Sequence, residues 1–98
     1  MEKRTPHYKL HTVRALIETG RVHATGSALS GAAALGLEFD GMIDVLNTLT
    51  IKDFYKSMTS YADHKVWQDV YRPSTKFGEV YLKLTVIEDL LIVSFKEQ

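Results

Sequence analysis

The chain of 98 residues contains no cysteine, so it can build neither a disulfide framework nor a thiolate metal site. That fits a reducing compartment, with the cytoplasm as the default. No apolar run is long enough to cross a bilayer, and Met1-Glu2-Lys3-Arg4-Thr5-Pro6 lacks the apolar core of a secretory signal. Excess positive charge is also missing. Twelve Lys and Arg balance twelve Asp and Glu, and the balance persists on splitting, with five of each sign in residues 1–49 and seven of each in 50–98. A dedicated nucleic-acid binder is usually basic, so any cationic patch here must be assembled by folding, and nucleic-acid affinity is expected to be modest. Gly31, Gly36 and Gly41 form no GxGxxG or Walker pattern. His7 and His11 stand at i, i+4 spacing without a third ligand; no metal and no other cofactor is expected.

What is present is the composition of one ordinary globular domain, 45% apolar and 24% charged. Thr5-Pro6 has the form of a helix start, with Thr as cap and Pro in the first turn, and Leu10, Val13, Leu16 and Ile17 recur at helical spacing up to Gly20. Arg21 to Thr25 alternates weakly, as a short strand or a connection. An Ala- and Leu-rich run from Ser27 to Leu35 predicts a second helix, capped by Thr25 or Ser27, stopped by Gly36 and weakened by Gly31. A third, capped by Asp40, carries Met42, Ile43, Val45, Leu46 and Leu49. From Phe54 the period becomes two. Val80, Leu82, Leu84 and Val86 share one parity, and Tyr81, Lys83 and Thr85 the other, which predicts a strand with one face on a core and one free. Leu90 to Lys96 is apolar on both parities until Ser94 and therefore belongs in the middle of the sheet. Lys76-Phe77-Gly78 and Glu88-Asp89 are the turns before and after the alternating strand. Helices first and sheet second predict an α+β domain, about three helices on one face of an antiparallel sheet of four or more strands.

The richest stretch is Asp53 to Pro73, in which Phe54, Tyr55, Tyr61, Trp67 and Tyr71 are interleaved with Lys56, His64, Lys65, Gln68 and Arg72. It predicts a hairpin turning at Ala62 to Lys65 and ending at Pro73. Aromatics offer bases a stacking surface and cations offer phosphates a partner. The plainer reading, aromatics as core and cations as solvated rim, is equally open at this point.

Long strings of this sequence resemble the MqsR family of toxins. They are Met1 to His7, Leu37 with Phe39-Asp40-Gly41-Met42, Asp53 to Thr59, Trp67 to Pro73, Val80 to Lys83 and Ile92 to Lys96. The resemblance spans nearly the whole chain. It implies a single RelE-like domain over 1–98 and the toxin of a type II toxin–antitoxin pair. The implied activity is endonucleolytic mRNA cleavage without the ribosome, at GC-containing sites such as GCU. The implied partner is an MqsA-type antitoxin that joins a zinc-binding domain to a DNA-binding helix-turn-helix, so that operator DNA is reached only through it. A binding module that keeps the fold and the antitoxin without catalysis is the alternative.

Carried over by the same resemblance, the catalytic positions fall on Lys56, Gln68 and Tyr81, with Arg72, Lys96, Tyr55 and His7 as RNA-binding candidates. Cleavage without a metal requires deprotonation of the 2′-OH, stabilisation of charge on the phosphate and protonation of the leaving 5′-oxygen. Lys56 could be the base if its pKa were lowered, and otherwise would hold the charged phosphate. Tyr81 can exchange a proton, Gln68 can orient, and Arg72 and Lys96 can clamp phosphate oxygens. His7 and His64 are reserve acids. Glu79, Glu88 and Asp89 are expected to border this site. Convergence on one face requires Lys56 and Gln68 to point with Tyr81, opposite to Val80, Leu82 and Leu84.

Overall fold

The computed structural model describes residues 1–98. The chain runs β1 (Glu2–Lys3), α1 (Leu10–Glu18), β2 (Val22–Ala24), α2 (Gly26–Ala34), α3 (Phe39–Asn47), a short 3-10 turn, β3 (Phe54–Thr59), β4 (Trp67–Tyr71), β5 (Ser74–Thr75), β6 (Gly78–Ile87) and β7 (Asp89–Glu97). Six strands lie in the order β1-β3-β4-β6-β7-β2, and β5 folds back on the start of β6. All pairings are antiparallel except that of β2 with β7. The architecture is α+β, as the element order predicts, and β7 is interior because the Arg21 to Thr25 segment adds the strand that covers it.

The helices pack on one face. Val13, Ala28, Ala32, Met42, Leu46 and Leu49 meet Tyr71, Leu82, Leu84, Ile92 and Phe95 in one core cluster. Thr25 caps α2 by accepting from the Ala28 N–H. Gly31, read from sequence as a weakness of this helix, is what lets it lie against β7: a Cβ there would sit 1.9 Å from the Phe95 carbonyl oxygen.

Two cap assignments are corrected. The first helix begins at Leu10 with Lys9 at its N-cap, not at Thr5-Pro6, because residues 7 and 8 are held elsewhere, their backbone N–H groups donating to the Asp69 carboxylate at 2.9–3.1 Å. The third begins at Phe39 with Glu38 at the cap position, so Asp40 lies in the first turn, where a carboxylate still complements the helix dipole.

Two β-bulges interrupt the alternation. Phe54 pairs with Tyr71 and Lys56 with Val70, leaving Tyr55 as the extra residue. Lys83 pairs with Ser94 and Leu84 with Ile92, leaving Val93 as the extra residue. Each extra residue flips the parity of its strand. Phe54 and Ile92 therefore face the core, while Lys56 and Ser94, two residues on, face the open side.

Candidate active site

The register fixes which side chains share the open face. Directly paired residues point to the same side, so Lys56, Val70, Lys83 and Ser94 form one row across β3, β4, β6 and β7. Tyr81 and Lys96 form a pair beside it. Gln68 pairs with Met58 on the other flank of the row. Val80, Leu82 and Leu84 lie on the opposite face, buried under the helices. The condition for convergence of Lys56, Gln68 and Tyr81 is met by the strand pairing.

Aromatic rings and cations are layered on this face. The Lys96 ammonium lies 5.4 Å from the centre of the Tyr81 ring. The Tyr55 ring, re-aimed by the first bulge, has the Arg72 guanidinium at 4.6 Å, the Lys56 ammonium at 5.3 Å and the Arg4 guanidinium at 5.7 Å. Tyr55 and Arg72 also line a cleft of about 270 Å³ with Lys52, Asp53, Phe54 and Glu79. Two larger clefts, of about 380 and 410 Å³, contain none of the candidate residues; convergence of chemistry, not volume, picks out this face.

The lysines of the row differ. Lys56 donates to the Glu2 carboxylate at 2.7 Å, and that hydrogen bond raises the lysine pKa against the opposing effect of burial while holding Glu2 below the usual carboxylate range. The hydrogen bond favours the charged form of Lys56, so the lowered pKa that a role as base would require is not found here. Lys83 has no acidic partner. Burial first, then the charges of Lys96 and Lys56, push its pKa below that of an ordinary lysine.

His7 lies apart from these residues. Its ring stacks on Trp67 at 5.4 Å, with its Nδ1 2.8 Å from the Lys3 ammonium, and Trp67 shares the strand parity of Asp69 and Tyr71, which face the helices. His64 is exposed in the β3–β4 turn. Of the three acids expected at the border, Glu79 lines the Tyr55–Arg72 cleft. Glu88 and Asp89 do not border the row; they form the β6–β7 turn, roughly 20 Å along the strand from Tyr81. There Glu88 has φ +63°, its carbonyl accepts from Arg21, and the Asp89 carboxylate takes Arg21 Nε at 2.8 Å and His23 Nε2 at 2.9 Å.

Sequence reasoning did not single out Lys83 or Glu2, which the strand pairing brings to this face. Lys83 was within reach, since it shares the parity of Tyr81 in an uninterrupted alternation. Glu2 had no local signal, because its partner is 54 residues away.

Residues 5–97 match the family described as "Motility quorum-sensing regulator, toxin of MqsA". The chain is 60% identical, over the full length of both sequences, to a protein of Escherichia coli (strain K12) named mRNA interferase toxin MqsR. With one match spanning nearly every residue and the other all of them, the chain belongs to the MqsR family of toxins.

Proposed function

We propose that this protein is an mRNA interferase toxin whose active site is the open face of the sheet, and that it cleaves RNA without a metal ion and without the ribosome. The observation that carries this reading is the row Lys56–Val70–Lys83–Ser94 with Tyr81 and Lys96 beside it, which concentrates cations of a charge-neutral chain where a phosphate backbone could lie. Lys56, Arg72 and Lys96 hold the scissile phosphate and the charge that develops on it. Gln68 orients the phosphate or a base edge, and Tyr81 donates a proton to the departing 5′-oxygen. Tyr55 is the stacking platform for a base. His7 has no part in this scheme, because its ring is committed to Trp67 on the other side of the sheet.

The preferred sites contain GC, notably GCU, and the protein works in the cytoplasm. A cognate MqsA-type antitoxin, with a zinc-binding domain and a helix-turn-helix, keeps it inactive. That partner adds a strand to a sheet edge or packs against one, where β1 and β2 are only two and three residues long. A complex in which the antitoxin touches the helices alone would count against this mode of inhibition.

The test is incubation of the purified protein with a defined mRNA in EDTA, followed by mapping of the ends. Cleavage leaving a 2′,3′-cyclic phosphate and a 5′-OH is expected, and activity that disappears in EDTA and returns with magnesium or manganese would refute the metal-free reading. Tyr81→Phe and Lys56→Ala should each slow cleavage by about 10²-fold or more while the proteins remain folded. Near wild-type rates in both would remove these residues from the site.

A further inference from the structure

Lys83 occupies the centre of the open face and has no acidic partner, a combination that the scheme above does not use. Its row neighbours are Val70, wholly buried, and Ser94. The charges acting on Lys83 are Lys96 from β7 and Lys56 from β3, itself paired to Glu2; Tyr81 lies two residues back on its own strand, and Arg72 and Glu79 line the Tyr55 cleft on the same face. The second bulge, with Val93 as its extra residue on β7, turns Ser94 and Lys96 to the same face beside Lys83 and Tyr81.

We propose that Lys83 is a further catalytic residue of the cleavage, accepting the proton of the attacking 2′-OH; this rests on the reading of the open face as the active site. In the step, the 2′-oxygen forms a bond to phosphorus as its proton passes to the neutral Lys83 amine. The bond from phosphorus to the 5′-oxygen breaks, and that oxygen takes the Tyr81 hydroxyl proton. The products are a 2′,3′-cyclic phosphate and a 5′-OH; solvent then removes the proton from the Lys83 ammonium and returns one to the Tyr81 phenolate. The division of labour follows from the neighbours. Glu2 keeps Lys56 charged, as electrostatic stabilisation requires, whereas burial and two nearby ammonium groups favour the neutral amine that a base requires.

The experiment is the pH dependence of kcat/KM for RNA cleavage by the wild type, Lys83→Arg and Lys83→Ala, with Tyr81→Phe as a reference. The wild type should show a rising limb toward alkaline pH, set by the free enzyme's base. Lys83→Arg keeps the positive charge but cannot serve as a base near neutral pH; it should lose about 10²-fold or more and lack that limb. Added methylamine should restore part of the activity of Lys83→Ala and none to Tyr81→Phe. Lys83→Arg cleaving within a few-fold of wild type, with the limb intact, would overturn the proposal even if Lys83→Ala fails to fold. If Tyr81→Phe is inactive while Lys83→Arg is active, only the role of Lys83 is wrong. If the wild type leaves RNA intact, the reading of the open face is wrong and the proposal falls with it.

Discussion

Asp69 and Val70 are neighbours on β4, both wholly buried, and each lies on the side of the sheet where the other would be expected. Asp69 sits among the apolar residues under the helices, where its carboxylate accepts the backbone N–H groups of His7 and Tyr8. Val70 sits on the cationic face, closed off from water by the side chains around it, with Lys56 and Lys83 directly opposite it. Each face is specified by what its exceptional residue organises. A buried acid fixes the chain entering α1, and a buried valine gives two lysine stems an apolar floor from which their amines project.

The largest contrast is expected from truncations at matched positions on the two faces. Leu82, on the helix side and fully buried, should lose about 2 to 5 kcal/mol on substitution by Ala, because rigid helices cannot close over the cavity. Val70→Ala should cost only about 1 kcal/mol, since it removes less volume and lysine stems can settle into the space. Urea denaturation of the two variants measures the contrast. Equal losses would mean that the open face is as rigidly packed as the core.

Next in size is Asp69→Ala, expected to cost about 2 to 3 kcal/mol by leaving the N–H groups of His7 and Tyr8 without their acceptor. Asp69→Asn, which keeps one acceptor oxygen, should cost roughly half as much. If Asp69→Ala has the stability of wild type, the residues before α1 are held by something else, and the account of why Thr5-Pro6 fails to start that helix is wrong.

A smaller effect of opposite sign is expected at Tyr71. Its hydroxyl is buried with no hydrogen-bond partner, and burial pushes its pKa well above the ordinary tyrosine value. Its ring packs edge-on against Phe54 at 5.4 Å. Tyr71→Phe keeps that contact and removes the orphaned hydroxyl, so stability should rise by about 1 kcal/mol, read as a higher denaturation midpoint. A loss of stability would show that the hydroxyl has a partner, such as a bound water.

The helix side was the more legible half from sequence, and the reason is local. Periods of 3.6 and 2 mark residues that meet one continuous apolar layer, as Leu10, Val13 and Ile17 or Val80, Leu82 and Leu84 do. The cap of α1 was misplaced because the competing attraction, Asp69, is some sixty residues away. The open face could be read only as far as the alternation was unbroken. Tyr81 and Lys83 were correctly paired in parity, but no residue type near Tyr55 or Val93 announces a bulge, and without the bulges Phe54 and Lys56 would be placed on one face. Their separation is decided by which of the two the core can hold.

The smallest expected effect sharpens the contrast between a buried acid and an exposed one. Asp89 is held by the side chains of His23 and Arg21 at the β6–β7 turn, and these hydrogen bonds, the His23 one first, lower its pKa below the ordinary value. A carboxylate with a depressed folded pKa stabilises the fold above its unfolded pKa of about 3.9, and that contribution disappears as pH falls through the folded value. The pair is largely exposed, so screening keeps the effect small. Thermal midpoints between pH 7 and pH 3 should therefore fall slightly less for Asp89→Asn than for wild type, with the difference confined to the region below about pH 4. Glu2, lowered by Lys56, titrates in the same sense and remains in the variant, so the slope is reduced and not abolished. The two proteins should converge at low pH, where the wild-type carboxylate is itself neutral. A constant offset from pH 7 to pH 3 would instead mean that Asp89 acts through the geometry of the turn, supporting Glu88 in its left-handed conformation, and not through its charge.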